Sequence, residues 1–249
     1  MKPLGQCIAV VSGKGGTGKT SFAAGVGAAL ALSGRRVLCL DCDVGLRNLD
    51  LALGLTDRAM MDFSDVAQGR CALDAAVVEH PQLPGLYLLT APIRNRGRPV
   101  TETQMADLLK EVRKRYDYCL LDAPAGLGGG FLLATCAADR VVVVTTTDAS
   151  SLRDAQHTVM ELSRFPGGTL HLVVNRVRKK LLRSMHATID DAIDQAGLPL
   201  LGVVPEDDAL PLCLNRGVPL LLADSQAASA YRNIAKRLQG GRVPLLRIK

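Results

Sequence analysis

The chain has 249 residues and a formal net charge of +6; 48% of its residues are hydrophobic but only 3% are aromatic. This length suits one α/β domain, and the aliphatic composition is typical of a sheet covered by helices on both faces. No run of roughly 18 apolar residues lacks a charge or a glycine, which excludes a predicted transmembrane helix. The positive charge permits an acidic partner surface.

The cysteines and the N-terminus indicate a reducing compartment. The first predicted strand begins at Cys7, and we find no signal peptide before it. The seven cysteines are scattered, and several fall inside predicted strands, where cysteine packs as a small hydrophobe. We therefore expect a cytoplasmic protein without disulfides. Cys39 and Cys42 have metal-like spacing, but no second pair matches them, so a structural role is favoured.

A glycine-rich stretch follows the first predicted strand, residues 7–11, and precedes an alanine-rich helix predicted over residues 21–32. Its sequence GKGGTGKT fits the phosphate-loop pattern G-x-x-x-x-G-K-[ST]. In such a loop the backbone N–H groups point at phosphate oxygens, Lys19 reaches the β- and γ-phosphates, and the Thr20 hydroxyl ligates Mg²⁺. The predicted nucleotide-binding residues here are Gly13, Lys14, Gly15, Gly16, Thr17, Gly18, Lys19, Thr20 and Ser21.

The second predicted strand, residues 36–41, ends in Asp41 and continues into DCDVGLRNLDL at residues 41–51. This stretch, together with the additional lysine at Lys14, resembles the MinD-like members of the MinD/ParA family of deviant Walker A P-loop ATPases. The resemblance implies that Lys14 reaches the nucleotide of a partner subunit. It also implies that Asp43 positions the attacking water and that Asp41 lies near Mg²⁺.

Between residues 60 and 122 we predict a helix over 60–78, a strand over 86–89, and a helix from a capping box at Thr101 to about residue 115. Residues 94–99 form a polar, basic loop between the last two. The next strand, residues 118–122, ends in Asp122. A carboxylate at this position can hold a Mg²⁺-bound water beside a phosphate loop. The PAG sequence that follows resembles the family's second switch. The family's acidic residue is missing here and Gly128, Gly129 and Gly130 follow, which predicts a more flexible segment.

The remaining predicted strands span residues 140–145, 170–175 and 200–207, and the helices span 148–164, 184–196 and 225–238. Strands alternating with helices predict a doubly wound, mostly parallel sheet of the P-loop NTPase class. By the resemblance, Asn175 contacts adenine, and Pro205, Glu206 and Asp207 form the adenine-pocket loop. We assign residues 1–239 to one ATPase domain and residues 240–249 to a short C-terminal tail.

The resemblance implies a function as well as a fold. Such an ATPase binds ATP or ADP with Mg²⁺, forms a homodimer in the ATP state, and hydrolyses ATP slowly until an activating protein stimulates it. In MinD-like proteins this switch determines the division site together with an inhibitor of septum assembly. The expected location is the cytoplasm, with peripheral contact at the inner face of the cell membrane. The tail is short, yet Leu245, Leu246 and Ile248 beside Arg247 and Lys249 allow weak contact with anionic lipid.

Two other functions stay open. The basic run at residues 176–183 is also compatible with nucleic acid, as in a ParA-like partition ATPase, and a regulator of flagellar number would share the same site. The other open function is that of a nucleotide-gated adaptor or a metallocluster carrier. A carrier needs paired cysteines at a dimer interface, and Cys136 has no evident mate.

Overall fold

The structure is a computed structural model that describes residues 3–94, 98–184 and 188–246, apart from the side chain of Arg183. Within these ranges eight strands form one sheet in the order β3-β4-β2-β5-β1-β6-β7-β8. The strands are β1 Gln6–Val11, β2 Val37–Asp41, β3 Val78–Glu79, β4 Leu86–Leu89, β5 Tyr118–Asp122, β6 Arg140–Thr145, β7 Leu170–Val177 and β8 Leu200–Pro205. Among the described strands, only the edge strand β3 is antiparallel to its neighbour. The predicted doubly wound, mostly parallel sheet is therefore confirmed.

Helices cover both faces of the sheet. They are α1 Lys19–Leu32, α2 Leu49–Ala52, α3 Phe63–Ala67, α4 Leu73–Ala76, α5 Glu102–Arg115, α6 Gly129–Thr135, α7 Ala149–Glu161, α8 Lys179–Ser184, α9 Ile189–Ala196, α10 Ala209–Arg216 and α11 Gln226–Leu238. One core joins α1 and α11 to the sheet, and a second core joins α5, α6, α7 and α9 to the opposite face. In the described part of the chain, no helix is long and apolar enough to cross a membrane.

Helix α1 is buried along almost its whole length because it lies between the sheet and α11. Every residue from 22 to 31 is buried. A Cβ added at Gly25 would lie 2.3 Å from Cδ2 of Tyr231, so a glycine is needed where α1 and α11 approach each other. The alanine-rich sequence thus forms a helix that is apolar on all sides. This packing fixes α1, and with it the loop before it, against the sheet.

The predicted helix over residues 60–78 is wrong. The chain forms two short helices there, α3 and α4, and then the edge strand β3. Asp62 caps α3 by accepting hydrogen bonds from the N–H groups of Ser64 and Asp65. Gly69, at φ 72°, ends the turn after α3 because its left-handed backbone cannot continue a helix. The local cap and glycine therefore outweigh the helical periodicity.

Other elements also differ from prediction. The basic run contains helix α8, and α2, α6 and α10 were not predicted. The helix predicted over residues 184–196 begins, as α9, after the capping box at Thr188; residues 185–187 lie outside the described chain. Parts of the predicted basic loop (residues 95–97) and of the tail (residues 247–249) also lie outside it.

The sheet order brings the predicted acidic residues beside the glycine loop. Strand β1 lies between β5 and β6, so the chain leaves β1 at the point where the strand order reverses, which is where doubly wound sheets bind ligands. Asp122 is paired in register with Val10 of β1 and with Asp41 of β2. Because these strands are parallel, their carboxyl ends meet at one edge of the sheet.

Candidate nucleotide site

The glycine loop lies between β1 and α1. Gly16 and Gly18 have φ values of 78° and 89°, in the left-handed region that favours glycine. A Cβ at Gly18 would lie 2.3 Å from Nδ2 of Asn175, and one at Gly13 would lie 2.6 Å from the carbonyl oxygen of Asp154. These glycines therefore permit both the tight turn and the close approach of β7 and α7 to the loop.

Lys19, the first residue of α1, is buried although its side chain is ionisable. Its Nζ donates a 2.8 Å hydrogen bond to Oγ of Ser12, which in turn donates to the carbonyl oxygen of Lys14 at 2.7 Å. Burial lowers the pKa of Lys19, while the charges of Asp122 and Asp43 raise it. A buried ammonium with one neutral acceptor favours an anionic ligand, as a phosphate would be.

Asp122 lies at the end of β5 and is 1% exposed. The Thr20 hydroxyl forms a hydrogen bond with the carboxylate of Asp122. Among the described residues, however, Oδ1 of Asp122 is buried with no hydrogen-bond partner. Burial, the largest cause, raises its pKa to about 8, and the nearby Asp41 adds to this. Burial makes the ionised form of this carboxylate unfavourable, and a cation bound nearby would stabilise that form.

Asp41 is fully buried at the end of β2 and accepts hydrogen bonds from the N–H groups of Asp43, at 2.8 Å, and Leu49, at 3.2 Å. Burial raises its pKa to about 6 despite these two hydrogen bonds. The side chain thus fixes the course of the segment that carries Asp43. Asp43 itself is less buried, and its pKa is raised by burial and lowered by the charge of Lys19.

The residues at this edge fit Mg²⁺ held partly by a phosphate ligand. Thr20 offers a hydroxyl, and Asp122 offers an oxygen without a partner. No group of three or more His, Cys, Asp or Glu side chains in the described chain is arranged to hold a metal ion. Mg²⁺ commonly keeps several waters and is bound by one or two protein groups plus substrate phosphates. The donor set therefore suits a metal that arrives with its nucleotide.

A cavity of about 480 Å³ extends from the loop to the end of β8. Of the predicted residues, its lining includes Gly15, Gly16, Gly18, Lys19, Thr20, Ser21, Asp43, Asn175, Pro205, Glu206 and Asp207. The lining does not include Gly13, Lys14, Thr17, Asp41 or Asp122. A second cavity, of about 610 Å³, lies on the other side of Asp43, but it contains neither Lys19 nor any residue of the glycine loop. The 480 Å³ cavity is therefore the candidate site.

Asn175 and Asp207, which both line the cavity, already form hydrogen bonds within the chain. Asn175 is 2% exposed, and its Nδ2 donates to the carbonyl oxygen of Thr17 at 2.8 Å. The Asp207 carboxylate accepts from the N–H groups of Ala209 and Ala227, both at 3.0 Å, and so joins the starts of α10 and α11. The expected contact of Asn175 with adenine stays a prediction.

Lys14 points away from the cavity. Its Nζ donates to Oγ of Ser150 at 2.7 Å and lies 3.5 Å from Oδ1 of Asp148, at the start of α7. Burial raises the pKa of Asp148, but hydrogen bonds from Thr146, Ser150 and Ser151 together lower it by more, so that it lies below its usual range. Lys14 is thus held within its own subunit by an exposed ion pair.

The site geometry agrees with comparisons to known proteins. The model of the CobQ/CobB/MinD/ParA nucleotide-binding domain family matches residues 8–220. The septum site-determining protein MinD of Synechocystis is 37% identical over 246 residues, which cover 98% of this chain and 92% of that protein. The chain belongs to the MinD/ParA nucleotide-binding family.

Two solved structures of MinD proteins share the fold. The MinC:MinD complex of Aquifex aeolicus matches with a TM-score of 0.89 and 33% identity, covering 98% of this chain and 100% of that chain. MinD of Pyrococcus horikoshii, complexed with Mg-ADP, matches with a TM-score of 0.84 and 30% identity, covering 94% and 96% of the two chains. The predicted membership of the MinD/ParA family, with likeness to MinD, is therefore confirmed.

Three residues at the candidate site of this MinD/ParA family member were not predicted. Ser12 receives the Lys19 ammonium, and Arg176 contacts both the loop and Glu206. Tyr231 lines the cavity with a buried hydroxyl that has no hydrogen-bond partner. Ser12 directly precedes the loop motif, and this position in the sequence is a signal from which its place in the site could be predicted. The other two contacts depend on the packing of β7 and α11, which leaves no local sequence signal.

Proposed function

We propose that this chain is a Mg²⁺-dependent ATPase that dimerises with ATP and acts as a positional switch in division-site placement. The observation that carries the proposal is that the glycine loop and the buried Lys19 line a nucleotide-sized cavity, whose Thr20 hydrogen-bonds the buried Asp122 carboxylate. The MinD protein of P. horikoshii was solved with Mg-ADP, which supports ATP or ADP and Mg²⁺ as the ligands here.

In this proposal, Lys19 leaves Ser12 to contact the β- and γ-phosphates, and the loop N–H groups receive the remaining phosphate oxygens. Thr20 and Asp122 would hold Mg²⁺, Asp122 through a water, with Asp41 nearby. Mg²⁺, when bound, neutralises charge on the phosphates. The pKa of Asp122 would fall beside a bound Mg²⁺, so the carboxylate would be ionised when the metal and the nucleotide are present.

In the proposed hydrolysis, Asp43 positions the attacking water. Its carboxylate lines the cavity, and the Asp41 side chain fixes its backbone through the 2.8 Å hydrogen bond. Asp43 would accept a hydrogen bond from water and orient it towards the γ-phosphorus. The new P–O bond forms as the bond to the β–γ bridging oxygen breaks, and the proton of water passes to the released phosphate. In-line positioning supplies most of such catalysis.

We propose that Lys14 acts in the dimer. Lys19 already supplies the cation that a phosphate loop needs, and Lys14 lies outside the cavity of its own subunit. In a dimer with nucleotide between the subunits, Lys14 would leave Asp148 and Ser150 and contact the partner's phosphates. Hydrolysis would then be slow in the monomer and would increase when an activating protein completes the site.

The Aquifex MinC:MinD complex supports a septum inhibitor of the MinC type as a second partner. For the membrane, we propose weak peripheral contact by the tail, residues 240–249, beyond the ATPase domain of residues 1–239. Within the described tail, Leu245 is exposed, whereas the carbonyl oxygen of Val243 accepts hydrogen bonds from Arg237. Leu246 packs against the core that holds α1 and α11, which reduces the apolar surface that the tail offers to lipid, so binding should be weak.

The test of the proposed enzyme combines nucleotide titration with a phosphate-release assay. The wild-type protein should bind ATP and hydrolyse it with Mg²⁺, and Lys19→Ala should lose nucleotide binding. Lys14→Ala is the matched control, because it removes a lysine from the same loop but should retain binding. Equal ATP binding by Lys19→Ala and wild type would contradict the assignment.

The surface on which the switch acts needs a separate measurement. Cosedimentation with anionic vesicles, and in parallel with DNA, is measured with ATP and with ADP. We expect weak retention on vesicles with ATP only. Retention on DNA alone, lost at high salt, would instead indicate the ParA-like function.

A further inference from the structure

Strand β7 departs from regular pairing at its carboxyl end. Val174 is paired with Val203 and Val177 with Pro205, so three steps along β7 match two along β8. This is a β-bulge, and its residue Arg176 has a φ of 54°. A left-handed backbone is strained in a residue with a side chain, and such strain concentrates at functional sites. The residues at this irregular step are Asn175 and Arg176.

Those two side chains contact two successive carbonyl groups of the glycine loop. Nδ2 of Asn175 donates to the carbonyl oxygen of Thr17 at 2.8 Å, and Nη1 of Arg176 donates to that of Gly16 at 3.2 Å. The other end of the guanidinium donates from Nη2 to Glu206 at 3.0 Å, which connects it to the segment after β8. The loop is therefore held from β7 at adjacent peptides.

Peptide planarity determines what these contacts do to the loop. In a trans peptide the N–H points opposite to the C=O of the preceding residue. Holding the carbonyls of Gly16 and Thr17 towards β7 turns the N–H groups of Thr17 and Gly18 away from β7, on the same side of the loop. Successive N–H groups that face one side form an anion-binding concavity.

We infer that the bulge at Asn175 and Arg176 is a positioning element that sets the glycine loop for phosphate before the nucleotide binds. The inference rests on the proposed nucleotide-binding function and adds a structural cause for it. Arg176 also lines the cavity and pairs with Glu206, but in this inference it acts through its hydrogen bond to the peptide of Gly16. Presetting the loop removes the need to order it on binding, which strengthens affinity without adding a contact.

The test replaces Arg176 with glycine, which adopts a φ of +54° without strain. Binding of ATP and of inorganic tripolyphosphate is measured by displacement of a fluorescent ADP analogue. Tripolyphosphate has no base or ribose, so it reports the loop alone. We expect Arg176→Gly to weaken both ligands by the same factor, about tenfold, as for the loss of one hydrogen bond from a charged group.

Arg178→Ala is the matched control. Its guanidinium also pairs with Glu206, but in the described structure it makes no hydrogen bond with the loop. Its binding of both ligands should stay within about twofold of wild type, as for an exposed ion pair. Arg176→Lys keeps the charge but lacks the planar fork that contacts Gly16 and Glu206 together, and it should give the same pattern. Thermal unfolding of Arg176→Gly should not occur at a lower temperature, since strain is removed.

Four results would overturn the inference. Unchanged binding of both ligands by Arg176→Gly and Arg176→Lys would show that the contact does not set the loop. Weaker binding of ATP with unchanged binding of tripolyphosphate would show that Arg176 acts on the base or the ribose and not on the loop. An equal loss in Arg178→Ala would make it a general charge effect. A wild-type protein that binds ATP but no tripolyphosphate would contradict a preset loop, whereas one that binds neither would refute the proposed function itself.

Discussion

Replacing Asp148 with asparagine should strengthen the ATP dimer, because Asp148 holds Lys14 within its own subunit. The Nζ of Lys14 and Oδ1 of Asp148 are 3.5 Å apart, and both side chains are about half exposed, at 45% and 52%. Asparagine removes the charge but keeps an oxygen that can accept from the N–H of Ser151, so the cap of α7 is retained. The asparagine amide cannot accept from the Thr146 hydroxyl, which bonds the other carboxylate oxygen of Asp148, but water can replace that acceptor at this exposed position.

The expected gain in dimer stability follows from the exposure of the Lys14–Asp148 ion pair to solvent. An exposed ion pair contributes about 0.5 kcal/mol, and the Ser150 hydrogen bond to Lys14 remains in the variant. A symmetric dimer releases two such lysines, so its dissociation free energy should increase by about 1 kcal/mol, or roughly fivefold in Kd. Sedimentation equilibrium with a non-hydrolysable ATP analogue resolves this difference. The gain should shrink at high salt, which already screens the pair.

Asp107→Asn is the matched control for this prediction. Asp107 forms an exposed ion pair with Lys110 on α5, at 2.8 Å, and neither residue lines the candidate cavity. It changes the net charge equally and should leave dimer affinity unchanged. An unchanged or weaker dimer in Asp148→Asn would refute the reasoning. An equal gain in both variants would assign the effect to net charge.

Three further predictions concern single side chains. Asp43→Ala should keep ATP binding but lose turnover by at least about a hundredfold, which titration and phosphate release together would show; unchanged turnover would remove its role. Burial raises the folded-state pKa of Asp122 to about 8, so the stability that its neutral form contributes is lost as pH rises through that value. In a chelator at pH 9 without nucleotide, Asp122→Asn should melt higher than wild type, by about 4–8 °C for roughly 2 kcal/mol, yet lose Mg²⁺-dependent nucleotide binding. Burial lowers the pKa of His80, whose Nδ1 accepts from the N–H groups of Gln82 and Leu83. The unfolded state therefore binds the proton more tightly, and denaturant titration should show stability falling below about pH 6.5 in wild type and less so in His80→Asn.

The sequence sufficed for features that are local or that follow from strand direction. The glycine loop is one continuous motif, and Asp41 and Asp122 each end a strand in a parallel sheet, so their meeting follows from the topology. The break at Asp62 and Gly69 also has local signals, a cap and a glycine, although the helical pattern of residues 60–78 predicts a continuous helix.

Other contacts had no signal within the sequence. Lys14 meets Ser150 across 136 residues, and Arg176 meets Gly16 across 160. The first depends on how α7 begins, and the second depends on a register shift between β7 and β8. Pairing register arises from packing of the whole sheet, so a strand pattern such as that of β7 does not reveal a bulge.

The central claim is that ATP, and not ADP, joins two copies of this chain. Sedimentation velocity of the wild-type protein with Mg²⁺ and a non-hydrolysable ATP analogue, compared with Mg²⁺ and ADP, tests it most directly. We predict a dimer with the analogue and a monomer with ADP, and a monomer in both states for Lys14→Ala. The same mass in both nucleotide states of the wild-type protein, with nucleotide bound in each, would contradict the account.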